Sequence, residues 1–277
     1  MEIHDAAAYF DQDPITDGYS GAALFEAQTA SFDDSSGDGA TNRRRVLSLA
    51  PGLAIPARRV VSLYGDRWLV GTGTPDGFLG SVIRQHFTMK RVTDLMAVVT
   101  PTEALAASAG TPVYAQRLYF KDTVNSLTDA EYDTFWNIFV APGEPVVQGT
   151  FFRDADSRLY RARNTYLPLE GLRVAQSDAL DTDARTTATF QTGTYDPVTD
   201  TFAAGTAAVA AIKIDVPKFY RFQHVSDAQT QKGDLAVLVP TGTTVPVGQT
   251  FTMDTLSWRI LGKQVELGAI AIHARRA

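Results

Sequence analysis

The chain has 277 residues, a formal net charge of −6 and no cysteine, so disulfides, thiolate catalysis and Cys-ligated zinc are excluded. Its hydrophobic fraction of 44% is ordinary for a soluble globular protein. No apolar run approaches about 18 residues, and the first residues do not form a basic segment followed by an apolar one. We therefore expect neither a membrane helix nor a signal peptide, and no membrane partner.

Charge is segregated near the N-terminus. Residues 1–42 contain nine acidic residues and no Lys or Arg, whereas residues 43–91 contain nine basic residues against two acidic ones. Such blocks are typical of interaction arms or docking faces. Either the acidic segment lies on its own basic neighbour, or it docks on another molecule. The predicted partner-binding residues are the apolar anchors and the basic cluster: Leu24, Phe25, Phe32, Arg43, Arg44, Arg45, Arg58 and Arg59.

Residues 1–45 are predicted to form this acidic N-terminal arm, because Gly and Asp break it repeatedly. Asp34 to Gly39 is similar to the start of a calcium loop, but its twelfth position is Arg45 rather than a bidentate Glu. The glycines Gly71, Gly73 and Gly77 miss the spacing of a dinucleotide-binding loop. The sequence therefore predicts no metal site and no cofactor.

A hairpin dominates the predicted first β module, residues 46–110. Apolar strands at 60–64 and 67–71 flank Gly65-Asp66, a pair that favours a type II′ turn. Beyond the following strands, residues 101–112 are rich in Ala and Thr and predict a linker or a short helix.

The predicted middle module, residues 111–200, contains the clearest helix signal. Thr128 stands three residues before Glu131, which is the spacing of a capping box. Aromatic residues then recur at helical spacing, at Tyr132, Phe135, Trp136 and Phe139. These features predict an amphipathic helix over about 129–140.

The predicted C-terminal β module, residues 201–277, repeats the hairpin of the first. Pro246 precedes Trp258 by 12 residues, as Pro56 precedes Trp68. A looser copy spans 144–161 and places Tyr160 at the aromatic position. We expect Trp68, Tyr160 and Trp258 to be buried in separate modules.

Many short strands with Gly and Pro turns predict a mainly β protein. The expected architecture is two or three small β-barrel or sandwich modules, with one short amphipathic helix and the N-terminal arm. The chain lacks the P-loop, the G-x-S-x-G elbow and the H-E-x-x-H zinc motif, so no catalytic residue is predicted and an enzyme is not expected.

Two segments carry a resemblance to a known family. Residues 60–71, VVSLYGDRWLVG, and 267–276, LGAIAIHARR, resemble parts of tailed-bacteriophage head-completion proteins, also called head-closure or neck proteins. The resemblance implies small β-barrels that assemble as a ring in the head-to-tail connector, without a catalytic site. It implies contacts with other copies of the chain, with portal, adaptor or tail proteins, and non-specifically with packaged DNA. The implied location is the virion, assembled in the bacterial host cytoplasm.

Other functions fit the same composition. Capsid decoration and tail-tube roles belong to the same structural class. A carbohydrate-binding or carbohydrate-active β protein is the alternative from a different class. It would use exposed aromatic residues such as Tyr166 or Tyr195 and a pair of carboxylates distant in sequence.

Overall fold

The computed structural model describes most of the chain from Arg59 to the C-terminus, together with three earlier strands. The described residues are 12–14, 22–26, 44–49, 59–63, 66–78, 81–124, 131–168, 171–196, 198–199, 201–215 and 233–277. They form a mainly β structure, as the composition predicts.

Three antiparallel sheets follow one another along the chain. The first contains β1 (Gln12–Pro14), β2 (Ala22–Glu26), β3 (Arg44–Leu49), β4 (Val60–Leu63), β5 (Asp66–Phe78) and β6 (Ser81–Arg91). The second contains β7 (Asp94–Val99), β8 (Thr111–Val124), β9 (Glu131–Val140), β10 (Phe151–Arg153), β11 (Leu159–Tyr166) and β12 (Arg173–Ala179). The third contains β13 (Arg185–Asp196), β14 (Thr201–Asp215), β15 (Leu235–Pro240), β16 (Thr250–Met253), β17 (Leu256–Glu266) and β18 (Ala269–Arg276).

The three sheets share one strand order. The first runs β1-β2-β3-β6-β5-β4, and the second and third have the same order beginning at β7 and β13. The second and third sheets close into six-stranded barrels by pairing their first and fourth strands, as β7 with β10 and β13 with β16. The hairpin similarity in the sequence therefore marks an internal repeat of a whole six-stranded module.

Register confirms that the repeated hairpins are equivalent. Each has an aromatic residue of its second strand opposite an apolar residue of its first, in the pairs Val61–Trp68, Phe152–Tyr160 and Phe251–Trp258. The aromatic side chains are 1%, 2% and 8% exposed at Trp68, Tyr160 and Trp258. The prediction that these three residues are buried in separate modules is confirmed.

Backbone hydrogen bonds repeat at the same places. The residue after the last strand of each module donates its N–H to the residue before the buried aromatic, in the pairs Val92–Arg67, Leu180–Leu159 and Ala277–Ser257. The first and third modules also share a bulge, between Val70 and Gly73 and between Ile260 and Gly262.

Modules thus end near residues 92, 180 and 277. The predicted boundaries at 45, 110 and 200 lie elsewhere, because they followed composition rather than strand pairing.

The predicted hairpins differ from the observed ones at their edges. Asp66 pairs with Leu63 and begins β5, so it belongs to the strand rather than to the turn. The strands expected from Glu144 and from Val245 begin only at Phe151 and at Thr250, since both preceding segments are loops.

The helix predicted at 129–140 is wrong over its described part. Residues Glu131–Val140 form β9, and Thr128 lies outside the described residues. The helical spacing of the aromatic residues gave the wrong secondary structure because both faces of β9 are buried. Three successive residues, Ile138, Phe139 and Val140, are each at most 9% exposed. A strand buried on both sides has no alternation to distinguish it from a helix.

The short helix lies elsewhere, in the segment predicted to be a linker or short helix. It is α1 (Pro101–Leu105), capped by Thr100. The Glu103 N–H donates to Thr100 Oγ1 at 3.2 Å, and the Thr100 N–H donates to the Glu103 carboxylate at 2.7 Å. This reciprocal pair is a capping box with Pro101 in the first turn. Among the described helical residues, no segment is long and apolar enough to cross a membrane.

The described residues divide into two compact units. The first comprises those up to Met96 with residues 112–148 and 162–178, and the second comprises residues 97–111, 149–161 and 179–277. In the first unit, one face of the first sheet packs on β8, β9 and β12, through the apolar side chains of Val60, Leu69, Leu118, Phe139, Leu172 and Val174.

The second unit has two apolar clusters on opposite faces of the third barrel. Inside the barrel, Phe190 and Phe251 stack with their ring centroids 5.0 Å apart. On the outer face, Leu238 and Ala271 pack against α1, Phe151 and Leu159. Because side chains alternate along a strand, β14, β15 and β18 supply residues to both clusters.

Candidate interaction surfaces

The predicted partner-binding residues fall largely within the first sheet. Leu24 and Phe25 lie on β2, opposite Ser48 and Leu47 of β3. The strand β3 also carries Arg44 and Arg45. Part of the acidic arm therefore pairs with the basic segment of its own chain. Phe32, Arg43 and Arg58 lie outside the described residues.

Arg59 is engaged within its own module. Its backbone has a positive φ of 50°, and its carbonyl accepts the Val70 N–H at 2.8 Å. Its guanidinium Nη1 donates to the carbonyl oxygen of Gly71 at 2.6 Å. In the third module, Gln249 occupies the position of Arg59, and its carbonyl accepts the Ile260 N–H at 2.9 Å. The same backbone hydrogen bond therefore closes the hairpin in both modules.

Other basic side chains of the predicted docking face are also used internally. Lys90 is 6% exposed, and its ammonium lies 4.3 Å from the ring centroid of Phe139. Arg91 pairs with Asp66 at 2.7 Å. Part of the basic excess of residues 43–91 is therefore engaged within the chain itself, through Arg59, Lys90 and Arg91.

One buried carboxylate organises the end of the third barrel. Asp234, whose side chain is 1% exposed, lies 2.8 Å from His273 Nε2 and accepts from Arg275 Nε and Nη2 at 2.8 and 2.9 Å. The hydrogen bonds to Asp234 raise the pKa of Arg275. The His273 side chain is fully buried, and this histidine–carboxylate pair joins β18 to the residue before β15.

A second charged cluster is more exposed. Lys213 Nζ lies 2.7 Å from Asp183 and 2.9 Å from Asp254, and Thr186 Oγ1 donates to Asp254 at 2.6 Å. Burial lowers the pKa of Lys213, but the hydrogen bonds to the two carboxylates outweigh burial and raise it overall. The hydrogen bond from Thr186, followed by that from Lys213, lowers the pKa of Asp254. The cluster ties β13, β14 and the β16–β17 turn together.

Aromatic and charged side chains form a row on β8 and β9 in the first unit. The Tyr119 and Trp136 ring centroids are 5.1 Å apart, and the guanidinium of Arg117 lies 5.0 Å from the Trp136 centroid. Asp94 pairs with Arg117 at 2.9 Å. Tyr119 is 49% exposed and Tyr166 is 41% exposed, whereas the side chain of Tyr195 lies outside the described ones. Exposed aromatic rings of this kind can bind apolar or sugar faces.

The longest hairpin extends beyond its barrel. The strands β13 and β14 pair along twelve residue pairs, from Arg185–Ile212 to Asp196–Thr201. In the described chain, β16 pairs with β13 only at Ala188–Phe190, and β15 pairs with β14 only from Ile212 onward. We call residues 191–196 and 201–211 the ribbon. The sequence predicted a strand at 186–195. It predicted neither the length of the β13–β14 hairpin nor its extension beyond the barrel.

Comparison of the chain with protein-family models, curated proteins and solved structures found no match. Within the part of the chain that the structure describes, no three His, Asp or Glu side chains are grouped as metal ligands.

Proposed function

We propose that the chain is a structural protein of a tailed-bacteriophage virion. In this role, copies assemble as a ring in the neck, or head-to-tail connector, and dock to portal or tail proteins. The role involves no catalytic turnover. The observation that carries the proposal is the threefold use of one six-stranded antiparallel module, two copies of which are closed barrels.

The use of the polar side chains supports a structural role. The buried carboxylate of Asp234 contacts two side chains of β18, and the buried guanidinium of Arg161 pairs with Glu266. Groups held in this way fix strands and do not line a cleft. The ribbon adds an elongated surface of the kind that subunits use to pair with one another.

The test is to locate the protein in particles. Antibodies raised against the recombinant chain are applied to particles purified from the cells that encode it, and bound antibody is located by electron microscopy with gold label. We expect label at the junction of head and tail, and chain peptides in the particles by mass spectrometry. Label on the capsid would indicate a capsid-decoration role instead of the neck role. Label along the tail would indicate a tail-tube role. Absence of the chain from purified particles would refute a virion function.

A further inference from the structure

Neighbouring modules pack on one another through the same two faces at both of their contacts. With the six strands of each module counted in chain order, strands 4 and 5 of the first module, through Val60 and Leu69, pack on strands 2, 3 and 6 of the second. Strands 1, 4 and 5 of the second module pack in the same way on strands 2, 3 and 6 of the third. We call the outer surface of strands 1, 4 and 5 the forward face, and that of strands 2, 3 and 6 the rear face.

The forward face is apolar in the second module and polar in the third. Three of its residues in the second module are at most 4% exposed: Val99, Phe151 and Leu159. Strand register aligns Phe152 and Tyr160 of the second module with Phe251 and Trp258 of the third. The residues that this alignment places at the three apolar positions are all exposed: Gln191, Thr250 and Ser257. The forward face of the third module therefore has polar side chains at the positions that bury apolar surface in the internal contact.

The rear face differs between the modules in a corresponding way. Three register positions are at most 9% exposed in both the second and the third module, with the equivalent residues Leu118 and Ile214, Phe139 and Leu238, and Val174 and Ala271. The pairing of β2, β3 and β6 places polar residues at the same positions of the first module: Glu26, Ser48 and His86. Burying a carboxylate without a partner is unfavourable, so these residues do not suit the contact that their counterparts make.

We propose that these two polar faces are caps, which limit stacking of the module to the two contacts within one chain. Burial of apolar surface drives such stacking, whereas hydroxyl and carboxylate groups lose hydration when they are buried without a matching partner. Arrays of stacked repeats end in this way, in terminal repeats with a polar outer face. The contact joins two different faces, so a chain with two apolar end faces would add copies without limit unless the series closed into a ring.

A charge adds to the polarity of the forward face in the third module. Arg259 is exposed and occupies the register position of Arg161, which is buried and pairs with Glu266. Stacking of a further module would remove the Arg259 guanidinium from water, which is unfavourable for a charge without a buried partner. The caps do not rest on the proposed function, but they restrict it, because copies in a ring would have to meet through other surfaces.

The experiment makes each capping face apolar separately and measures whether the two variants bind one another. Thr250→Phe with Ser257→Leu gives the third module the forward-face residues of the second. Glu26→Leu with Ser48→Phe gives the first module the rear-face residues of the second. The full-length variants are studied alone and as an equimolar mixture by sedimentation velocity, and circular dichroism reports whether each is folded. If the rear-face variant does not fold, His86→Val, which introduces the equivalent of Val174, takes its place.

The matched control for the forward-face variant is Thr241→Leu with Thr244→Phe. These two positions are exposed and lie in the loop after β15, so the control adds similar apolar surface outside both faces. We expect the mixture of forward-face and rear-face variants to form a complex of twice the mass of one chain. Wild type, each variant alone, and the control mixed with the rear-face variant should form no such complex.

Three results would overturn the caps. The first is a mixture of folded variants that forms no complex, and the second is a control that binds the rear-face variant equally well. The third is a wild-type association that Thr250→Arg abolishes, because the forward face would then already be an interface. Wild-type oligomers that Thr250→Arg leaves intact would agree with both the caps and the proposed ring. Absence of the chain from particles would refute the virion function and leave the caps standing.

Discussion

Two glycines at equivalent positions of the repeat, Gly149 and Gly248, allow two costs of an alanine substitution to be measured separately. One is backbone strain, and the other is the disturbance of a buried ion pair. Gly149 and Gly248 occupy the same place in the loop before the fourth strand of their modules, with φ of 87° and 91°. A Cβ added at Gly248 would meet no atom within 4 Å. A Cβ added at Gly149 would overlap the carboxylate of Glu266, which pairs with Arg161, and would lie 3.2 Å from Leu267 Cδ1. We predict that Gly149→Ala destabilises the protein more than Gly248→Ala.

The expected magnitudes follow from the surroundings. A left-handed conformation costs an L-residue about 1–2 kcal/mol, and both variants incur this cost. The Arg161 side chain is 4% exposed, and Glu266 is 14% exposed. Removing one partner of a buried pair costs about 3–5 kcal/mol. Because the Glu266 carboxylate can shift rather than vanish, we expect an additional loss of about 1–3 kcal/mol for Gly149→Ala.

The assay is equilibrium urea unfolding followed by circular dichroism, with both alanine variants also made in a Glu266→Ala background. Most of the extra cost of Gly149→Ala should disappear in that background, because only the 3.2 Å contact with Leu267 Cδ1 then remains, while the cost of Gly248→Ala should not change. Equal losses for the two variants, or an extra loss that is undiminished without Glu266, would refute the reasoning.

Two further predictions concern charged groups of the third module. Asp234→Asn should lower the free energy of unfolding by about 3–5 kcal/mol, because it removes the charge of a buried carboxylate between His273 and Arg275. Asp178→Asn, in the more exposed pair with Arg163, should cost less, and an equal urea-unfolding loss would contradict this account. Asp254→Asn should destabilise by about 1 kcal/mol or less at neutral pH. Since the folded-state pKa of Asp254 is lowered, its stabilisation is present above the ordinary carboxyl pKa and is lost as pH falls through the lowered value. Thermal unfolding should therefore show the difference shrinking at acid pH, and a constant difference would argue against the Lys213 and Thr186 contacts.

Local sequence patterns determined the mainly β fold class and the repeated hairpin. A buried aromatic residue beside a turn lies close in sequence to the strand it opposes, so Trp68, Tyr160 and Trp258 could be identified together. The strands at Thr186–Tyr195 and Gly268–Arg276 were also predictable from composition and alternation, and they correspond to β13 and β18.

Tertiary structure decided the features that depend on distant residues. The segment of β9 is a strand although its aromatic residues have helical spacing. Its pairing with β12 and the packing of Phe139 outweigh the local helical preference. Closure of the barrels joins first and fourth strands, which no local signal specifies. The pairs Asp234–His273 and Arg161–Glu266 are separated by 39 and 105 residues. Their charges are stabilised only where the fold brings them together, because desolvation makes an unpaired buried charge unfavourable.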